Sequence, residues 1–173
     1  ASTQTGSEVL DVVLTEKSML CEAHHISINN VADGTCLHFM DPADLYALFA
    51  NALDHAIELT RKLPEPEKRM IDLLVCRRQG FAVLNIISAV PDGPDPGRET
   101  CDELKIIKRI IQKYNGFLTT EANGGFFAIK AVFPGQYSCL RISGIRFTPL
   151  HLYILHKCKG YFFVRQKPFI PRK

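Results

Sequence analysis

The chain has 173 residues, 46% of them hydrophobic and 23% charged, enough for one well-packed domain with an appendage. No run of about 18 apolar residues is free of charge, and the start ASTQTGSEVLD lacks the basic and apolar regions of a signal peptide, so a soluble, cytoplasmic domain is expected. The net charge of +3 hides an asymmetry: residues 134–173 hold 8 Lys or Arg and no acid, leaving 13 basic against 18 acidic side chains, or −5, in residues 1–133.

In SEVLDVVLTEKSMLCEAHH, Val9, Leu10, Val13, Leu14 and Leu20 recur at helical spacing behind Ser7, a natural N-cap, and a helix is predicted there. His24 and His25 fall at its end, before a strand, and read as local structure. ISINNVA and CLHFM alternate on either side of Asp33-Gly34, a turn signal, which predicts a short hairpin. Asp41-Pro42 then opens a second helix, with Asp as N-cap and Pro at the first helical position. RMIDLLVCRR and FAVLNIISAV form a hairpin about Gln79-Gly80, and VPDGPDPGRETC, residues 90–101, is a long loop. DELKIIKRIIQKYNG is a helix that buries Leu104, Ile107 and Ile111 and is capped by Asn115-Gly116; FLTTEA and FFAIKAVF make a last hairpin about NGG. The order predicts a two-layer α/β sandwich with helices on one face of a mixed sheet. Cys21, Cys36, Cys76, Cys101, Cys139 and Cys158 show no CxxC pair, which argues for small buried hydrophobes and against a zinc site or disulfide framework.

Within residues 41–59, Leu45, Leu48, Phe49, Ala52, Leu53, Ala56 and Ile57 spread over one side of the helix, while Asn51, Asp54, His55 and Glu58 gather on a stripe opposite. An exposed face is usually built from Lys, Glu, Gln and Arg; Asn, Asp and His are poorer helix formers that need another reason to sit there. Solvent contact is one reading of the stripe, and metal or phosphate ligation is the other.

TGSEVLDVVLTEKSMLCEAHHI, FMDPADLYALFANALDHAIEL and IIKRIIQKYNGFLTTEANGGFFAIKAVFP together resemble the ATP-binding domain of the GHKL superfamily, in the subgroup of quorum-sensing histidine kinases of the accessory-gene-regulator type. The resemblance covers residues 5–134 and implies a Bergerat-type sandwich that binds ATP with Mg²⁺. It implies that Asn51 is the metal ligand and that His55 lies near the triphosphate; Asp54 and Glu58 would orient water or neighbouring basic groups, or else meet solvent. Ser88 takes the position of the adenine-reading polar residue, and Lys105 matches a lysine of the glycine box; Asp92-Gly93 or Asp95 imitates an Asp-x-Gly pattern that would serve the base side, the other reading of PDGPDPG being a plain turn. The resemblance also implies the histidine-containing dimerisation helices of a membrane-anchored kinase as partner, and is compatible with a homodimer.

The sequence departs from the family in that box. Where a glycine-containing HGFGLKS-like stretch would let backbone approach phosphate, this chain reads TCDELKI, with Cys101 and Glu103 at the glycine positions and Asp102 between them. The resulting expectation is a kinase ATP-binding domain with weakened nucleotide affinity. The alternative is a degenerate GHKL module that acts by docking to kinase partners. No nucleic-acid module accompanies the basic tail, so no nucleic acid is expected.

Residues 135–173 match nothing in the family and are read as a basic extension of unknown role. Their charge is opposite to that of the preceding residues, so association is expected to be partly electrostatic. Truncation after Pro134 should lower both solubility and melting temperature; equal values for the two forms would make the extension an independent appendage.

Overall fold

The computed structural model describes residues 4–92 and 102–134. These lie in the first of two compact units, Ala1–Tyr137; the second, Ser138–Lys173, falls outside the described residues. Helix α1 (Glu8–Ala23) starts where Ser7 Oγ accepts from the Leu10 amide, satisfying one of the donors that every helix start leaves unpaired. Its inward face is Leu10, Val13, Leu14, Lys17 and Cys21. Leu20, expected to be inward, is 37% exposed: it lies about 100° round the helix from Cys21, and the face holding Leu10, Leu14 and Cys21 is the one that packs.

The hairpin expected across Asp33-Gly34 does not form. Asp33 Oδ1 accepts from the Thr35 amide at 3.1 Å and the Thr35 hydroxyl at 2.5 Å, capping a short 3₁₀ helix over Gly34–Leu37 that buries Cys36 and Leu37. Strand β1 (Ser27–Ala32) instead pairs in parallel with β2 (Met70–Arg78), from Ser27 opposite Met70 to Ala32 opposite Val75. An Asp-Gly pair serves a cap as well as a hairpin turn, and here the carboxylate found a local amide first.

Helix α2 (Pro42–Thr60) fills the crossover between these parallel strands. Its N-cap is Asp41, whose Oδ1 accepts from the Ala43 amide. Strand β3 (Phe81–Ala89) returns antiparallel to β2 through Gln79 and Gly80, both at positive φ as a tight hairpin turn requires. After helix α3 (Asp102–Lys113) come β4 (Phe117–Asn123) and β5 (Phe126–Pro134), giving a mixed five-stranded sheet in the order β1-β2-β3-β5-β4. Ile71, Leu73, Leu84, Ile86, Phe127, Ile129 and Phe133 share one apolar core with Leu10, Leu14, Leu48, Phe49, Leu53, Ile107 and Ile111. The expected α/β sandwich is thus formed.

Two polar clasps hold the layers. Arg69 donates Nε and Nη2 to the Leu63 carbonyl and Nη1 to that of His24, at 2.7 to 3.0 Å, tying the ends of α1 and α2 to the start of β2. Asp44 Oδ2 accepts from Lys113 Nζ at 2.5 Å and the Tyr114 hydroxyl at 2.6 Å, and that hydroxyl accepts from the Asp41 amide at 2.9 Å. The start of α2 thereby meets the end of α3.

Asn115, at φ 54°, ends α3 as the sequence predicts, and the Gly116 amide bonds the Ile111 carbonyl at 2.8 Å. A Cβ on Gly116 would lie 2.7 Å from Phe133 Cδ1 and 2.8 Å from Ile111 Cγ2. Gly116→Ala should therefore destabilise the domain by about 1–3 kcal/mol through overpacking; urea unfolding with an unchanged midpoint would show that the ring can yield.

Candidate nucleotide site

The polar residues of α2 divide among several environments, and the stripe is not the uniform face that the helical wheel suggests. Asn51 is half-buried, and its Nδ2 donates to the Ala47 carbonyl at 2.7 Å. That bond holds the carboxamide along the helix and turns its acceptor, Oδ1, away from the backbone. Asp54 reaches the other way, to Lys17 Nζ of α1 at 2.9 Å. Glu58 is exposed beside Arg61, 3.2 Å away. His55 is only 7% exposed. The sheet beneath α2, and α1 and α3 packed against it, leave little of its circumference for solvent.

The His55 ring stands edge-on to Phe127 of β5, centroids 5.4 Å apart and planes at 72°. Burial lowers its pKa; the charge of Glu103 on α3 works in the opposite direction, and Lys62 works with burial. The imidazole is therefore neutral near pH 7, with one ring nitrogen to donate and one to accept. Ser88 is 1% exposed, and its hydroxyl donates to the Phe127 carbonyl at 3.3 Å. Its proton is used within the sheet, and its lone pairs remain to accept.

His55, Phe127, Ser88 and the start of α3 form one neighbourhood, with Asn51 one helical turn away. The other sequence-derived residues are more exposed. Asp92 is exposed, beside Gly125 in the β4–β5 turn. Lys105 Nζ bonds Asp102 Oδ1 at 2.8 Å, both side chains largely exposed. The expected lid falls mostly on residues 93–101, outside the described residues, as does Cys101.

Lys17 was missed by the sequence reading. It is 6% exposed and bonds both Asp54 and Glu16 Oε1, the latter at 3.0 Å, while Glu16 Oε2 accepts from the Tyr46 hydroxyl at 2.7 Å. Burial pushes the ammonium pKa down, but the two carboxylates outweigh it and the pKa is raised. A signal was available: a lysine recurring at the spacing of Leu10, Val13 and Leu14 sits at a core position. No group of three His, Cys, Asp or Glu able to hold a metal occurs among the described residues.

Comparison with known proteins identifies the arrangement. Residues 40–134 match the family described as GHKL domain. No curated protein matches the sequence. Among solved structures, the catalytic domain of histidine kinase ThkA superposes with a TM-score of 0.57 at 16% identity, over 75% of this chain and 92% of that one. The histidine kinase domain of the blue-light activated kinase of Erythrobacter litoralis gives 0.55 at 13%, covering 84% and 70%. Histidine kinase AdeS of Acinetobacter baumannii gives 0.53 at 12%, covering 74% and 64%. At these identities the likeness establishes the fold.

A depressed histidine pKa predicts how stability follows pH. Above the unfolded value of 6.5 the imidazole is neutral in both states and costs nothing. As pH falls below it the unfolded chain takes up the proton first, and stability is lost until the folded imidazole titrates as well. Measured against pH, the stability difference between the parent and His55→Asn should be flat above about pH 7 and should change below about pH 6.5 in the direction of a less stable parent. A difference that stays flat into acid would show that the ring is not desolvated.

Proposed function

The chain belongs to the GHKL domain family, and we propose from this that it is the ATP-binding catalytic domain of a sensor histidine kinase whose nucleotide site is weakened. The observation that carries the reading is the pairing of Asn51 and His55 on one helix, one turn apart, where α2 meets Phe127 and the start of α3. The Asn51 carboxamide, anchored through Nδ2, presents an oxygen, the donor type that Mg²⁺ selects; bound with ATP, that ion would offset phosphate charge. His55 would donate an N–H toward a phosphate oxygen. The Ser88 lone pairs would accept from an exocyclic amine of the base, a role open to a hydroxyl whose proton is already engaged. Asp92 and Lys105 belong to this reading as outer contacts, on the base side and the phosphate side. Asp54 serves it from behind, through Lys17.

In the parent protein the domain would present the γ-phosphoryl group to a histidine on the dimerisation helices for in-line transfer, working by position and charge. This reading implies a cytosolic domain of a membrane-anchored kinase, assembled as a dimer through those helices. Among the described residues no helix is long and apolar enough to cross a membrane.

One observation favours the alternative, a module that docks to kinase partners without catalysis. Asp102 and Glu103 occupy the first turn of α3, where carboxylates satisfy the positive end of the helix dipole and repel a phosphate that would otherwise bind there. Two like charges near a polyanion, partly solvated, cost about 1–3 kcal/mol, or roughly a tenfold to hundredfold loss of affinity.

Thermal shift in millimolar ATP decides between the two. The parent should gain melting temperature only with Mg²⁺ present, since a ligand that binds the folded state alone must stabilise it. Cys101→Gly with Glu103→Gly should enlarge the gain, and Asn51→Ala should abolish its Mg²⁺ dependence. If neither parent nor double variant is stabilised, the site is absent and the docking module is the better reading.

A further inference from the structure

We propose that Lys17 is a positioning residue for the nucleotide site, acting through Asp54 and Tyr46 to set the rotation and register of α2. The inference rests on the nucleotide-binding reading, and assigns to α1 a part in it.

Lys17 occupies a place on α1 that spacing reserves for an apolar side chain, between Val13 and Leu14 on one side and Cys21 on the other. Its ammonium is withdrawn from water and then recovered by two carboxylates, Asp54 at 2.9 Å and Glu16 at 3.0 Å. Both lead to α2. Asp54 is on that helix, and Glu16 passes the connection on through the Tyr46 hydroxyl at 2.7 Å. Tyr46 and Asp54 lie about two turns apart along one edge of α2, so the two attachments bracket Asn51, and His55 adjoins the second. Apolar side chains hold two helices together but tolerate small slides and rotations. Directional bonds at two heights do not.

Only the Lys17 end of these pairs is buried, the Asp54 and Glu16 carboxylates being about half exposed, so they contribute little net stability, and the best-attested use of such a pair is to fix register. Here the register that is fixed is that of the helix carrying the ligand groups. Asp54 is held toward α1, while His55 beside it stands against Phe127, with Asn51 one turn before it. Small displacements of such groups are costly to function even where the fold tolerates them.

The test is the paired variant Lys17→Met with Asp54→Leu, alongside Lys17→Arg. The paired variant should keep the parent's melting temperature to within a few degrees and yet bind Mg-ATP about tenfold more weakly, while Lys17→Arg restores most of the affinity. The NMR signals of the His55 ring and the Asn51 side-chain amide, recorded without nucleotide, should shift or broaden in the paired variant and return toward parent positions in Lys17→Arg. Parent affinity in the paired variant, or unmoved Asn51 and His55 signals, overturns the proposal. Should the parent itself bind no nucleotide, the nucleotide reading fails, and the ligand-free NMR comparison still decides whether Lys17 positions Asn51 and His55.

Discussion

A helix laid on a sheet along its whole length has no neutral place for its polar residues, and that constraint governs this domain. α2 buries Leu48, Phe49, Ala52, Leu53 and Ala56 almost completely, so the sheet claims one side and α1 and α3 claim the flanks. Most of the charged residues on it are answered by a neighbour. Asp54 is answered by Lys17, Asp44 by Lys113 and Tyr114, and Glu58 by Arg61. Asn51 answers itself with one end of its amide and offers the other. The candidate site is what remains of the helix after the fold has taken its share.

The parts of the fold that could be read in advance are those decided locally. Ser7, Asp41 and Asn115 are helix ends whose chemistry involves residues within a turn or two, and Gln79-Gly80 and Gly124-Gly125 take the positive φ values that their hairpins need. Where two local outcomes compete, the sequence does not choose: Asp33-Gly34 suits a hairpin and a 3₁₀ cap alike, and the parallel partner that decided it, β2, begins at Met70, far along the chain. The site divides in the same way. The helical period is enough to gather Asn51, Asp54 and His55, but which of them meets solvent, sheet or α1 depends on what flanks the helix. Lys17 went unseen because its partner is 37 positions away and its burial is tolerable only once that partner is in place.

The first turn of α3 shows stability and function asking for different residues at one place. Asp102 and Glu103 suit the positive end of a helix dipole, and Lys105 returns a bond to Asp102. With these residues at the turn, the sandwich forms its five-stranded sheet and shared core.

The strand order has a topological consequence. Nine register pairs, from Phe81 opposite Pro134 to Ala89 opposite Phe126, join β3 to β5, and among the described strands this ladder alone unites those before residue 93 with those after residue 101. Off this seam the same two pieces are joined by the Asp44 clasp and by the apolar core, which Ile107, Phe127 and Phe133 share with Leu48, Phe49 and Leu53. An interruption of the polypeptide between the two pieces would cut none of these strand pairings, so seam and core together would still have to hold the pieces.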